Sequence, residues 1–346
     1  RRLQANMTTS KKSGSPVIIK HKRPEGNPRV LLVKTTSLGD VIHNLPVASD
    51  LRHHFPNADI HWLVEEQYVP VVEMHGGVDR IIPVAVRRWR KGLLSAGNWR
   101  EFLAVRRALR QVRYNAIIDT QGLLKSAVFT HFANGPVHGF GRRTAREPLA
   151  SRFYDARYEY PPEMHAIDRY RALAARALSY QLDDFIDYGI APTVPNPHLI
   201  DGPYCVLLHS TARAEKLWKE QNWLDLINRL NAAGLGCVLP WGNDAELRRS
   251  DRLAVRGGRT LTAPKLSLDQ LSALIADAAL VVGVDTGLMH LAAALSRPVV
   301  GIYCNSSPGN TGPKGPGPTR YCGGMGRAPG VEEVISAIRE VKPGLL

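Results

Sequence analysis

A chain of 346 residues is longer than a single hydrophobic core normally fills, so two domains are expected. Hydrophobic residues make up 44% and charged residues 22%, the balance of a globular chain, and no apolar run approaches the ~18 residues of a membrane span. The four cysteines (Cys205, Cys237, Cys304, Cys322) form no CxxC pair and read as reduced thiols of a cytoplasmic protein, while a net charge of +14 points to an anionic partner: nucleic acid, a membrane face or a phosphorylated substrate.

Residues 1–28 read as a basic, disordered arm. Residues 1–29 hold eight Lys/Arg against one Glu, half of the net charge, and breakers interrupt them throughout. With no apolar stretch of 7–15 residues, the arm is not a secretory signal. From Arg29 the pattern becomes regular. "VLLVK" (30–34) predicts a strand, followed by a helix from about Asp40 to His53. "IHWLV" (60–64), "RIIPV" (80–84) and "NAIID" (115–119) are further strands, and "NWREFLAVRRALRQV" (98–112) is an amphipathic helix between two of them. Short apolar runs separated by helices imply a parallel sheet covered on both faces. A proline-rich linker spans 191–203, and the pattern then restarts. "YCVLLH" (204–209), "GCVLP" (236–240), "LVVGVD" (280–285) and "PVVGIY" (298–303) are strands, and "QNWLDLINRLNAAG" (221–234) is a helix closed by Gly234. The expected architecture is α/β, with doubly wound Rossmann-like domains at 29–190 and 204–346 facing a cleft and a last helix free to pack back on the first domain. Open parallel sheets bind ligands beyond the carboxyl ends of their strands, so both sites should face that cleft.

The dinucleotide fingerprint GxGxxG and the P-loop GxxxxGK[ST] are both absent, which argues against a dehydrogenase or a P-loop kinase. No HExxH, zinc-type spacing or RNA-recognition signature occurs. What remains lies at strand ends. In "KTTSLGDVIHNLP" (34–46), Asp40 follows Gly39 where a buried strand turns into a helix; it is either a helix cap or a reactive carboxylate. In "LLHSTARAEKLWKEQNW" (207–223), Thr211 offers a hydroxyl and Lys216 a point charge for phosphate, unless that lysine is simply solvated; Trp218 and Trp223 should pack. In "PWGNDAE" (240–246), Glu246 either accepts from ribose hydroxyls or complements a helix dipole. "VVGVDTGLMHLAAAL" (281–295) is the most specific stretch. A strand ends at Asp285, and Thr286 and Gly287 open a helix whose first-turn N–H groups suit phosphate oxygens, with His290 one turn on. Read blandly, the same residues are a cap and a core histidine. Two basic loops, "RRWRK" (87–91) and "RRTAREP" (142–148), complete the inventory.

"SLGDVIHNLP", "RRWRK", "DTQGLLKSA", "TAREPLAS", "PWG" and "VDTGLMHLAAAL", in this order, resemble the lipopolysaccharide heptosyltransferases, inverting and metal-independent enzymes of the GT-B fold. The resemblance runs from about Arg29 to the C-terminus; "RRWRK" and "TAREPLAS" narrow it to the first-heptose branch. It implies heptose transfer from ADP-L-glycero-β-D-manno-heptose to the inner Kdo of Kdo2-lipid A, with no cofactor and no metal. By this resemblance Thr211 and Lys216 meet the diphosphate or sugar, Glu246 holds the ribose, and Asp285, Thr286, Gly287 and His290 line the donor pocket. Asp40 becomes the general base for the acceptor hydroxyl. Arg87, Arg88, Arg90, Lys91 and Arg146 meet the acceptor's carboxylates and phosphates, with Lys125 and His165 as further acceptor-side candidates. The acceptor's setting implies a peripheral protein on the cytoplasmic face of the inner membrane, drawn to its anionic surface, with no nucleic-acid partner. Two features depart from the family: Ala212 stands where a second Thr can occur, and 306–330 is unusually rich in Gly and Pro. The rival readings are a second-heptose transferase (heptosyltransferase II), a basic nucleic-acid-binding protein and a GT-B UDP-sugar epimerase.

Overall fold

The computed structural model describes residues 27–92, 95–211 and 213–346; the basic arm through residue 26 and Ala212 lie outside the described residues. The first sheet contains β1 (Arg29–Val33), β2 (Asp59–Glu65), β3 (Arg80–Val84), β4 (Ala116–Asp119), β5 (Val137–Phe140) and β6 (Ala156–Tyr158), all parallel, in the order β3-β2-β1-β4-β5-β6. The second contains β7 (Tyr204–Leu208), β8 (Gly236–Leu239), β9 (Thr260–Thr262), β10 (Leu280–Val284), β11 (Val299–Tyr303) and β12 (Thr319–Gly323), again parallel, in the order β12-β11-β10-β7-β8-β9. Both windings reverse direction at their first strand, between β1 and β4 and between β7 and β10. Those are the points where loops diverge and a crevice opens.

The central strands lack polar alternation because helices cover both faces. On the outer face of the first sheet lie α3 (Val86–Lys91), α4 (Ala96–Arg110) and α5 (Leu124–Thr130), contributing Trp89, Phe102 and Phe129 to one apolar cluster. On the inner face lie α1 (Leu38–His54), α2 (Val69–Glu73) and α6 (Ala166–Leu178). In the second half, α9 (Leu268–Ala276) and α10 (Gly287–Ala294) take the inner face. There α7 (Glu220–Ala232), α8 (Asp244–Arg256) and α11 (Val331–Val341) take the outer one. Trp218 and Trp223 are both buried and meet edge to face at 5.1 Å, so they pack as expected. The inner layers of the two halves merge into a single cluster that includes Val41, Ile42 and Leu45 of α1 and Met289, Leu291 and Ala292 of α10.

Three expectations change. Helix α1 begins at Leu38, and Ser37 rather than Asp40 is its N-cap; Asp40 is the third helical residue. "RRWRK" is not a loop but most of helix α3, because Trp89 packs inward and donates its Nε1–H to Glu101 at 2.8 Å. The last helix does not return to the first half: Val334, Ile335 and Ile338 of α11 pack with Trp223 and Leu226 over the second sheet. Part of the Gly/Pro-rich segment is also ordered as edge strand β12.

Candidate active site

Asp40 sits in the first turn of α1, at the carboxyl end of β1. Its Oδ2 accepts from the Ser37 backbone N–H at 3.1 Å and the Ser37 hydroxyl at 3.0 Å, and Arg146 Nη1 lies 3.4 Å away. Its Oδ1 accepts from the Tyr170 hydroxyl at 3.3 Å. Burial pushes this carboxyl's pKa up, but the Lys34 ammonium, the Ser37 N–H and the Arg146 guanidinium outweigh it, holding Asp40 below the usual carboxylate value. The carboxylate is therefore ionised at neutral pH, with 18% of its side chain open to solvent.

Beneath it is a buried cation that the sequence did not reveal. Lys34, at the end of β1, is fully buried; its Nζ donates to the Thr120 carbonyl at 2.9 Å and lies 3.8 Å from the centre of the Tyr170 ring. Burial lowers its pKa to about 8, against the opposing pull of Asp40 and Asp119.

Opposite Asp40 the second half presents the start of α10, with Thr286 as its N-cap. Asp285 pairs with Lys216 Nζ at 2.5 Å, and its carbonyl accepts from the Thr211 hydroxyl at 2.9 Å. Thr211, Lys216 and Asp285 thus meet at the carboxyl end of β10, beside the first-turn N–H groups of α10. His290 contacts the other half instead: its Nδ1 lies 2.9 Å from His43 Nε2, and the His43 ring is 5.5 Å from that of His165. Burial lowers the pKa of His290 to about 4 and takes that of His43 well below its ordinary value, so the pair is neutral.

Two glycines make this approach feasible. A Cβ on Gly39 would come within 2.8 Å of the His290 ring, and one on Gly287 within 3.0 Å of Leu38. Each glycine admits a side chain from the facing helix. Gly287 therefore has a packing reason to be glycine, set by Leu38, besides any close approach of a ligand to its backbone.

The acceptor-side candidates divide. Lys125 reaches the site, its Nζ donating to Thr36 Oγ1 at 2.7 Å, and burial lowers its pKa. His165 caps α6 and lies 3.1 Å from the Gly312 carbonyl, bridging the halves through the Gly/Pro-rich segment. Arg87 donates its backbone N–H to Glu65 at 2.9 Å, and its exposed guanidinium hydrogen-bonds the Tyr68 hydroxyl. Arg88 is committed elsewhere: it bridges Glu66 at 2.9 Å and Glu101 at 2.8 Å. Arg90 and Lys91 are exposed. Glu246 turns onto its own loop, accepting from Gly242 N–H at 2.6 Å and Asn243 Nδ2 at 2.8 Å, as the helix-start reading expects. Lys34, His43 and Tyr170 were missed because each looks like an ordinary core position; a lysine closing an apolar strand was the one available signal. Among the described residues, no group of three or more His, Cys, Asp or Glu is placed to hold a metal ion.

A family model described as glycosyltransferase family 9 (heptosyltransferase) matches residues 102–336. Lipopolysaccharide heptosyltransferase 1 of Salmonella typhimurium is 42% identical over 297 residues, covering 85% of this chain and 94% of that protein. The structure of E. coli heptosyltransferase WaaC with ADP superposes with a TM-score of 0.84 at 40% identity, over 90% of this chain and 99% of that one. The same enzyme with ADP-2-deoxy-2-fluoro heptose gives 0.79 at 40% identity, covering 90% and 98%.

Proposed function

This chain belongs to glycosyltransferase family 9, the heptosyltransferases, and from that we propose that it moves L-glycero-D-manno-heptose from ADP-heptose to the inner Kdo of Kdo2-lipid A, with inversion and without a metal. Family membership sets the epimerase reading aside. The observation that carries the proposal is the ionised Asp40 carboxylate, held by Ser37, Tyr170 and Arg146 directly across from the start of α10.

In this reading the acceptor hydroxyl approaches Asp40, which takes its proton as the oxygen attacks the anomeric carbon. A carbon–oxygen bond to the acceptor forms on one face of the sugar while the bond to ADP breaks on the other. One carboxylate suffices, because the departing diphosphate is already a good leaving group. Its growing charge falls on Lys216 and on the N–H groups opening α10, which do the work a cation would do elsewhere. Asp285 holds Lys216 in reach of the phosphates, Thr211 braces the Asp285 backbone, and Glu246 takes the ribose by exchanging a loop contact for a sugar hydroxyl. On the acceptor side, Arg146 lies beside the base, Lys125 borders it, and Arg87, Arg90 and Lys91 ring the approach. The acceptor's lipid A moiety would hold the protein at the cytoplasmic face of the inner membrane.

The test is mass spectrometry of purified protein incubated with ADP-heptose and Kdo2-lipid A. The expected product is the acceptor plus one heptose, formed equally in EDTA. A product only from an already heptosylated acceptor would make it a second-heptose enzyme; loss of activity in EDTA with recovery in Mg²⁺ would overturn the charge assignment to Lys216 and α10.

A further inference from the structure

We propose that the outward face of α4 is a docking surface for an anionic lipid bilayer. The helix turns Leu109 into the core, and Phe102 and Val105 pack against the outer cluster of the first sheet. Flanking this packed face, Trp99 stands edge to face with Phe102 at 5.9 Å yet stays 55% exposed, and Leu103, one turn further on, is 51% exposed. Helical spacing puts Arg100, Arg106, Arg107 and Arg110 on that same side. Arg106 lies over the Phe132 ring at 5.6 Å. Arg100, Arg107 and Arg110 are exposed, and among the described residues no carboxylate pairs with them. The helix's single acid, Glu101, points away, toward Arg88 and Trp89 of α3. A groove lined by Trp89, Gly92, Asn98, Trp99 and Phe102 runs alongside.

Two large apolar side chains surrounded by arginines, with the acid turned away, match the chemistry of a headgroup layer. Tryptophan settles at the interface, leucine enters the acyl boundary, and arginine pairs with lipid phosphate. A second copy of this chain fits worse, because a two-fold contact through this face would set arginines against arginines. The face begins beside α3, whose Arg90 and Lys91 border the proposed acceptor approach, so a docked α4 would hold the cleft mouth near the lipid. The inference rests on the proposed lipid-linked acceptor for its biological purpose.

The experiment measures binding directly. Full-length protein is sedimented with vesicles of phosphatidylcholine alone or with roughly one-third phosphatidylglycerol. The expected result is binding to the anionic vesicles, weakened roughly tenfold or more in W99A/L103A. In R100A/R107A/R110A binding is also weakened, with a flatter salt dependence. Both variants keep the basic arm, so the loss belongs to α4. Melting temperature reports folding, and ADP affinity should match that of the parent chain. Wild-type binding that ignores lipid charge, no binding at all, or a W99A/L103A variant that binds like the parent would overturn the proposal. A dimer in sedimentation velocity that this variant dissolves would make the face a self-association surface instead. Failure of heptose transfer with the vesicle result intact would strike the proposed reaction and leave the docking face standing.

Discussion

Asp40 performs a structural and a proposed chemical task with one carboxylate. It accepts the Ser37 N–H that opens α1, and it stays ionised beside Lys34 and Arg146. Asp40→Asn keeps an oxygen for Ser37 and removes the base, so kcat should fall roughly 10²–10⁴-fold while calorimetry finds the melting temperature nearly unchanged. A large loss of stability with normal turnover would return Asp40 to the helix start alone. Lys34 behaves in the opposite sense. Folding lowers its pKa from 10.5 to about 8, so between those values the unfolded chain holds the extra proton. This residue's share of stability should therefore rise as pH climbs from 8 to 10.5, and below pH 8 the full cost of the buried charge is present. Activity should do the reverse, with kcat/KM declining above about pH 8 as Asp40 loses its cation. Lys34→Met should hold or raise the melting temperature, abolish that alkaline decline and lower kcat roughly 10–100-fold. Destabilisation with an unaltered pH–rate profile would show a merely structural lysine.

At the scale of elements, the contact of α1 with α10 decides the site, because the proposed base and the proposed phosphate cradle ride on these two helices. Their closeness depends on Gly39 and Gly287, each facing a side chain of the other helix. Gly287→Ala should cost roughly 1–3 kcal/mol in urea unfolding, and Leu38→Ala in the same chain should recover most of it. Titration with ADP separates the two explanations for this glycine. If packing is its only reason, the double variant regains ADP affinity together with stability; if a ligand also needs the bare backbone, stability returns and affinity does not. A second joint lies between α1 and α6, where Arg171 and Asp50 form a buried pair at 2.8 Å. It fixes α6, and with it Tyr170, against the helix that bears Asp40.

At the scale of the whole molecule, two sheets of the same winding face each other through merged inner layers. Each half brings its own charge logic: Lys216 with Asp285 in the second, clustered arginines in the first. Lys216→Ala should weaken ADP binding in calorimetric titration and leave the acceptor KM little changed. Arg90→Ala with Lys91→Ala should raise the acceptor KM, most at low salt, with ADP affinity intact. Arg88 is the wrong residue for this test, since its bonds to Glu66 and Glu101 hold α3 on α4 and its removal would disturb the fold locally. Equal loss of ADP affinity in the Lys216 and Arg90/Lys91 variants would end the division into two sites.

The sequence by itself determined the central strands, because β1, β7 and β10 are buried on both faces and must read as unbroken apolar runs. It also determined that Asp40 and Asp285 stand at strand ends, since a turn needs its glycine and cap within a few residues. The edge strand β3 was legible, but β5 (VHGF), β6 (ARY), β9 (TLT) and β12 (TRYCG) escaped, being too short or too polar to carry a pattern. Helix α3 escaped because five residues with four cations look like a solvated loop until Trp89 finds its pocket. Only the tertiary structure decided which residues meet. His43 and His290 are 247 positions apart, and Lys34 reaches Thr120 across 86. Nothing local marks these pairings, because burial, which lowers the pKa values of Lys34, His43 and His290, arises only when distant segments close over them.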